Sequence, residues 1–564
     1  MTNDLDQRDV SESGRRVIVV GGVAGGMSAA TRLRRLDESA TITVIERSGH
    51  VSYANCGLPY FVGGVIEDEA DLLLQTPERL YDRFRLDVRV DTEVIAIEPS
   101  SRTVTVQPTG GGVQEQLAYD ALVLSPGALP VRPPIEGFDR VRVLRTVEDA
   151  ERLVGDVAAA PSTAVVIGGG FIGIETAENL SAAGIPTTIV EAAHQLLPPL
   201  DPEMAVLVEA ELLAHGIRVL TGSAVTSVTD SSVLLADGTD LPAGLVVGSI
   251  GVRPDTRLAA MADLAIGPNG GIAVDADGQT SDPHIYAVGD AVEKVDSVDG
   301  GSSLVTLANV ANRQGRRVAD HIAGRTVTAS ASLGTAIVKV FDRTAAMTGW
   351  SEARLRAAGR AYRVVRSHPM SHATYYPGAE QMSLKLLFNP ADGTILGAQA
   401  VGGSGVDKRI DIIATAMAVG ISAPDLADLE LAYAPPFSSA KDPVNMLGYM
   451  AENVLADDSG SAEADEVEHL VGDGWVLVDV RTTAEHAAGA IEGSTNIPLD
   501  ELRERVGELA DRRALVYCQV GQRGHTAAAL LGELGIDVRN LDGGWLSWRA
   551  HAAAGAAGAA SLVR

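Results

Sequence analysis

Two stretches of the chain read as strands that break into glycine turns and continue as helices. RRVIVVGG (15–22) is apolar without alternation, as a strand covered on both faces must be. MSAATRLRRLD (27–37) follows with helical spacing, and TITVIE (41–46) is the next strand. The same order recurs in TAVVIGGGFIGIETAENLSAAGIPTTIVE (163–191). That internal similarity predicts two nucleotide-binding units of the parallel α/β type. Short strands with turns lie between and after them, in YDALVLSPGA (119–128) and SDPHIYAVGDA (281–291). From about residue 332 the pattern changes to an alternating one, TAIVKVFDRTAAMTGW and then LKLLFNPADGTILGAQAVG, which predicts an α+β module with antiparallel strands. ADDSGSAEADE (456–466) is polar and acidic and reads as a linker. A compact piece begins at VLVDVR (476–481), and AHAAAGAAGAASLVR closes the sequence as a frayed helix or disordered tail.

Composition narrows the setting. A chain of 564 residues forms several domains, and 46% hydrophobic content is enough to bury real cores. The net charge of −29 opposes binding to nucleic acid or an anionic membrane, so anionic ligands need local basic patches. Two cysteines cannot form a disulfide framework, which points to a reducing compartment. No apolar run is long enough for a membrane helix, and MTNDLDQRDVSES lacks a signal-peptide core. The expected location is the cytoplasm.

Gly168, Gly170 and Gly173 complete a GxGxxG after a strand. The first glycine permits the turn, the second lets a diphosphate approach, and the third packs helix on strand. The helix N-terminus then offers amides and partial positive charge. Glu191, 18 positions after Gly173, is placed to accept ribose hydroxyls. It would repel a 2′-phosphate, and AAH (192–194) offers no arginine, so NADH is favoured over NADPH. The first turn reads Gly21-Gly22-Val23-Ala24-Gly25-Gly26, with Glu46 20 residues beyond. Val23 makes this fingerprint imperfect, but two turns at matching positions, each with a terminal acid, outweigh a packing role. Two dinucleotide sites suggest one flavin and one nicotinamide. Asp290 in VGDA could bond a ribityl hydroxyl; the plainer alternative is a helix cap.

Over roughly 15 to 450 the chain resembles the flavin- and pyridine-nucleotide-dependent disulfide reductases. Within them it is similar to the single-cysteine branch of coenzyme A-disulfide reductases, NADH oxidases and persulfide reductases. The carriers are GGVAGGMSAATRLRRLD, SYANCGLPYFVGG, GGGFIGIE, IGVRPDT, HIYAVGDA, ANRQGR, HATYYPGA and YAPPFSSAKDPVN. Val23 is typical of that branch, whereas YDALVLSPGA departs from its commoner ATGA ending. The resemblance implies FAD on the first unit, NAD(P)H on the second, and a homodimer whose subunits share the active site. It also implies cofactor contacts from Arg47, Ser125, Gly127, Gly251, Gly289, Phe171, Ile172 and Glu175, with Asn55 beside the catalytic thiol. Ser28, Arg32, Arg35, Ser52, Asn312 and Lys441 match positions that contact coenzyme A, and Tyr375 and Tyr433 match two active-site tyrosines. Independently of the resemblance, Arg32 and Arg35 share a helical face that could meet phosphates or simply be solvated.

VDVRTTAEHAAGAIEGSTNIPL, VYCQVGQRG and LDGGWLSW resemble a rhodanese domain, with Ala490 where that family often has His. Cys518 then stands at a strand end, in a loop whose amides can converge and which Arg523 closes. Such a nest favours a thiolate and a bound persulfide anion. No metal site is expected.

Cys56, in SYANCGLPY, has three readings. A buried structural cysteine sits poorly with an N-C-G-L-P turn, and a disulfide with Cys518 needs two distinct domains to meet. The third is a nucleophile whose resolving thiol comes from a ligand, for which coenzyme A is suited. The resulting expectation is an FAD-dependent NAD(P)H oxidoreductase reducing CoA-disulfide, CoA-persulfide or polysulfide, with sulfane sulfur carried on Cys518. The alternatives are an NADH oxidase using a Cys56 sulfenic acid and a redox-sensing sulfur-carrier adaptor. The expected divisions are a disordered start (1–14), an FAD-binding domain (15–150 and 281–330) and an NAD(P)H-binding domain (151–280). A dimerisation domain (331–452), a linker (453–466) and a rhodanese domain with its tail (467–564) complete them.

Overall fold

β1 (Arg16–Val20), α1 (Ala24–Arg34) and β2 (Thr41–Ile45) form the first strand–turn–helix–strand unit. β3 (Asp87–Arg89) and β4 (Ala121–Leu124) extend its parallel sheet. The helix α2 (Val147–Ala158) begins at a capping box between Thr146 and Asp149. β5 (Ala164–Ile167), α3 (Phe171–Ala182) and β6 (Thr187–Val190) repeat the first arrangement. α4 (Pro202–Ala214) and β7 (Arg218–Leu220) follow, giving the parallel order β7-β6-β5. β8 (Ile285–Ala287) then returns to the first sheet, whose order is β8-β4-β1-β2-β3. Every residue of β4 and β5 is buried, which explains their unalternating apolar sequence.

α5 (Ala308–Ile322) packs across α1, and the close approach requires glycine. A Cβ on Gly315 would stand 2.1 Å from the carbonyl oxygen of Gly25. The antiparallel module is as expected: β9 (Ala336–Val340), β10 (Arg343–Gly349), β11 (Arg363–Ser367), β12 (Met382–Phe388) and β13 (Ile395–Gly402), in the order β9-β10-β13-β12-β11. α6 (Val406–Val419) and α7 (Pro443–Ala456) bury Ile410, Ile413, Val444 and Leu447 in the core they share with Leu384 and Leu386. The last sheet is parallel: β14 (Gly460–Ala462), β15 (Val476–Asp479), β16 (Thr495–Asn496), β17 (Ala514–Tyr517) and, after α8 (Gln522–Glu533), β18 (Val538–Leu541). Its order is β14-β18-β17-β15-β16, and α9 (Gly544–Leu562) ends the description.

This computed structural model describes residues 14–326, 328–456 and 460–562. The expected disordered N-terminus lies outside them apart from Gly14, as do 457–459 of the expected linker and the last two residues of the tail. The chain forms two compact units. The first runs to Pro134 and adds Phe138–Pro161 and Val247–Ser332; the second takes Ile135–Gly137, Ser162–Val246 and the chain from Leu333 on. Several expected boundaries differ; residues 151–161, expected with the second nucleotide unit, fall in the first, and 135–137 fall in the second. Residues 247–280, expected with the second nucleotide unit, belong to the first, because Val252–Pro254 pairs with Ala128–Pro130 and Ile272 enters its core. The linker expected at 453–466 is helix to Ala456 and, from Gly460, a strand paired with β18.

Within the second unit, a buried charge cluster joins the antiparallel sheet to the last one. Arg366 donates to Asp542 from its backbone N and Nη1, both at 3.1 Å, and to Glu203, Glu352 and Glu463. Lys385, fully buried, meets Asp201 at 2.8 Å and Glu203 at 2.6 Å. Burial opposes charge on Glu203, yet Lys385 and Arg366 win and hold its carboxyl down to about 2. Glu463, expected in a linker, is therefore part of a packed joint.

Candidate active site and nucleotide-binding turns

The two glycine turns repeat one geometry. Gly21 and Gly168 both have φ above +100° or at it, the left-handed region that their strand-to-helix reversal needs. Gly22 N donates to Glu46 Oε2 at 2.7 Å, and Gly169 N donates to Glu191 Oε2 at 2.6 Å. The other carboxylate oxygen of Glu46 accepts from Ser48, and that of Glu191 from Ala193 N. Each acid thus sits at the rim of its own turn. Val23 and Gly170 stand at the caps of α1 and α3, and neither helix has a side-chain cap or an acid in its first turn. Most first-turn amides, beginning with Ala24, Gly25 and Gly26 in α1 and with Phe171, Ile172 and Gly173 in α3, therefore have no side-chain acceptor, which suits a diphosphate. Glu175 lies one turn further along α3.

The Cys56 turn is fastened to the first of these. Cys56 is exposed in a single 3₁₀ turn, Asn55–Gly57, and forms no disulfide. Ser52, at φ 50°, donates its backbone N to Gly22 O at 2.7 Å. With its amide oxygen facing the guanidinium, Asn55 accepts from Arg145 Nη1 at 2.8 Å and donates to Arg145 O at 3.2 Å. Arg145 Nη2 reaches Asp290 Oδ2 at 3.2 Å, so a continuous chain of contacts runs from the cysteine turn to the expected ribityl acceptor. Asp290 is not a helix cap; it lies in the 3₁₀ turn Gly289–Ala291. Gly289 N donates to Gln314, and Gly289 O accepts from Lys294 Nζ at 2.6 Å. Burial pushes Lys294 down to about 8, against the pull of Asp290. Ser125 N donates to Val20 O, Gly127 O accepts from Asp255 N, and Asp255 also meets Arg47 at 3.4 Å. Gly251 belongs to the first unit and accepts from Val131 N.

The residues expected at coenzyme A divide between the units. Ser28 Oγ and Asn312 Oδ1 are 2.7 Å apart across α1 and α5, and Arg35 is exposed. Arg32 differs from a solvated phosphate ligand: its guanidinium is drawn 2.6 Å from Asp320 Oδ1 on α5. Lys441 belongs to the second unit, with Nζ 5.9 Å from the centre of the Tyr449 ring. Tyr375 and Tyr433 also lie there, both exposed, with phenolic oxygens 2.8 Å apart. That mutual hydrogen bond holds the Tyr375 phenol above its ordinary range.

Cys518 follows β17 and is fully buried. Trp545 N, in the first turn of α9, donates to Cys518 O at 2.7 Å, and Leu546 N to Gln519 O at 3.1 Å. These bonds tie down the loop's carbonyls. Arg523 forks onto Glu485, at 2.8 and 2.6 Å. The arginine, ahead of the backbone N and hydroxyl of Thr482, holds the Glu485 carboxyl down to about 2. Cys518 is a lesser contributor to the raised pKa of Arg523.

Residues 15–315 match the family described as pyridine nucleotide-disulphide oxidoreductase. This chain belongs to that family. The oxidoreductase also matches the family's dimerisation domain over 335–443 and a rhodanese-like domain over 463–551. It is 34% identical over 444 residues to the coenzyme A disulfide reductase of Staphylococcus haemolyticus, spanning 78% of this chain and all of that one. The crystal structure of the reduced CoADR-RHD of Bacillus anthracis is 45% identical, with TM-score 0.94 over 95% of this chain and 98% of that one. An NAD-dependent persulfide reductase from A. fulgidus is 37% identical, with TM-score 0.89 over 94% and 100%.

Four members of these sites owe their place to contacts rather than to a motif of their own, although Glu485 also closes the capping box that begins at Thr482. Arg145, Gln314, Lys294 and Glu485 act through contacts 5 to 145 positions away in sequence. Only the TVED of the α2 capping box marks the neighbourhood of Arg145.

Proposed function

We propose that this oxidoreductase uses NADH and FAD to reduce coenzyme A disulfide or persulfide, with Cys56 holding coenzyme A as a mixed disulfide between turnovers. One observation carries the reading. Cys56 is exposed on a turn anchored to a nucleotide-binding loop, and the other cysteine of the chain is buried in the rhodanese-like domain. A two-electron thiol therefore needs a partner sulfur from a ligand. The curated relatives act on coenzyme A disulfide, and a structural neighbour reduces persulfide with NAD.

The first glycine turn, Glu46, Asp290 and Arg145 suit FAD; the second turn and Glu191 suit NADH. Bound flavin would supply the electron pair taken from the nicotinamide. The chain's own part begins at Cys56–S–S–CoA. Two electrons cleave that bond to the Cys56 thiolate and the coenzyme A thiolate. Cys56 then attacks a coenzyme A disulfide, reforming the mixed disulfide and expelling a second coenzyme A thiolate. Tyr375 and Tyr433, offered by the partner subunit of a homodimer, hydrogen-bond the departing thiolates and hand them a proton. Ser28, Arg32, Arg35, Ser52, Asn312 and Lys441 hold the nucleotide end of the ligand, Arg32 by exchanging Asp320 for phosphate. Cys518 carries sulfane sulfur as a persulfide inside its amide loop, with Arg523 closing it. The linked rhodanese-like domain raises the local concentration of that donor.

Intact mass before and after a thiol reductant tests the central step. A coenzyme A adduct that is lost on reduction and absent from Cys56→Ser is expected. Full turnover of sulfur substrates with no coenzyme A, bound or added, would sink the reading.

A further inference from the structure

The second unit holds a guanidinium that the chemistry above leaves idle. Arg409, on α6, is 1% exposed and, among the described residues, the bulkiest of the fully buried side chains. Its Nη2 donates to Ser371 O at 3.0 Å, to Ser438 Oγ at 3.2 Å and to Asp442 Oδ2 at 3.0 Å. Its Nη1 donates to Gly405 O at 3.2 Å, and Nε faces Asp442 Oδ1 at 3.4 Å. Ser371 stands four residues before Tyr375, Ser438 five after Tyr433, and Asp442 directly after Lys441. One buried fork therefore grips both tyrosine-bearing loops.

The loops also meet through Ala373 N and Ser438 O at 3.1 Å. Ser438 Oγ donates to Asp442 Oδ2 at 2.6 Å, and Asp442 caps α7 by accepting from Val444 N. Burying such a pair strips water from both ions, and apolar side chains of equal volume would close the gap at less cost. They would not set the relative register of two exposed loops. A planar guanidinium with acceptors at fixed angles does.

We propose that Arg409 is a positioning residue that sets the Tyr375–Tyr433 pair for the sulfur chemistry of the active site. The proposal rests on the reading that these phenols serve the departing thiolate. Lysine at 409 would keep the charge beside Asp442 but could not reach Ser371 O and Ser438 Oγ together.

The test is a double-mutant cycle on the flavin-loaded full chain, with coenzyme A disulfide as substrate. Arg409→Lys should lower kcat by about tenfold or more, the scale of a slightly misplaced reacting group, while the rate of flavin reduction by NADH is unchanged. In a Tyr375→Phe, Tyr433→Phe background the same change should have no further effect on kcat, because the groups it positions are gone. An undiminished effect in that background overturns the proposal. Wild-type turnover of the double Phe variant instead overturns the tyrosine reading, and Arg409's role with it. Should Arg409→Lys fail to fold, Ser438→Ala removes one gripped hydroxyl and leaves the ion pair. It should lower kcat in the same tyrosine-dependent way, and unchanged turnover overturns the proposal.

Discussion

Cys56 lies exposed in a single 3₁₀ turn, whereas Cys518 is buried between the end of β17 and the first turn of α9. The turn around Cys56 is held by the backbone of Ser52 on Gly22 and by side chains, Asn55 on Arg145 and Arg145 on Asp290. The loop around Cys518 is held by the amides of Trp545 and Leu546 and by the side chains of Asn540, on Gly521 O, and Arg481, on Gln519. An open sulfur can admit a bulky thiol ligand, and side-chain anchors can yield as that ligand arrives. A closed loop suits a small anionic passenger that must be kept from water and from other thiols. Sulfur is thus set up for two kinds of chemistry by its exposure, open at Cys56 and closed at Cys518.

The contrast breaks most sharply at Cys56. Cys56→Ser should lower NADH-dependent turnover of every disulfide or persulfide substrate by at least about a thousandfold, with flavin content unchanged. Stopped-flow and steady-state NADH oxidation measure this, and turnover within tenfold of wild type would end the distinction. Cys518→Ala should abolish sulfur transfer from thiosulfate to cyanide yet leave coenzyme A disulfide turnover within about twofold, as sites with no shared partners act independently. An equal loss of both activities would make the two sulfurs one centre. Arg523→Lys should cut sulfur transfer about tenfold, since a point charge cannot replace the fork that Arg523 makes on Glu485. Unchanged transfer would remove Arg523 from the loop's workings.

The last expected effect is on stability rather than on turnover. His368 bridges Ser383 and Ser547 by hydrogen bonds of 2.9 Å, joining the antiparallel sheet to α9. Burial, then Arg366 and Arg549, pushes its pKa down from 6.5 to about 4. The unfolded chain therefore binds this proton first. The stability tied to neutral His368 is whole above pH 6.5 and is lost progressively as the pH falls to about 4, on the order of 3 kcal/mol. Thermal melts of wild type and His368→Gln between those values should converge as the pH falls. Parallel curves would show that this histidine does not report on the joint.

The parts legible in the sequence are those written locally. Glycine turns, their terminal acids, the Cys56 turn and the Cys518 loop each occupy a few consecutive residues, and the parallel and antiparallel sheets announce themselves by runs or alternation. Arg145, Arg366 and Arg409 could not be read that way. Their partners lie far along the chain, and an arginine bound for burial looks like any other. The acidic stretch before the last sheet misled for a related reason. Its composition suits a linker, but Gly460–Ala462 finds an edge on β18 and Glu463 finds Arg366. The helical face shared by Arg32 and Arg35 can be counted along the sequence, whereas the Asp320 that meets Arg32 cannot be placed from it.

The joint at Arg366 bears on how such a fusion could be undone. Severing the chain after Ala456 would take away Asp542 and Glu463 and leave Arg366 with Glu203 and Glu352 alone. Ser547 would go too, stranding one nitrogen of His368 at newly wetted surface. A chain shortened there would present Arg366 and His368 to water where the longer one buries them against its last sheet and helix.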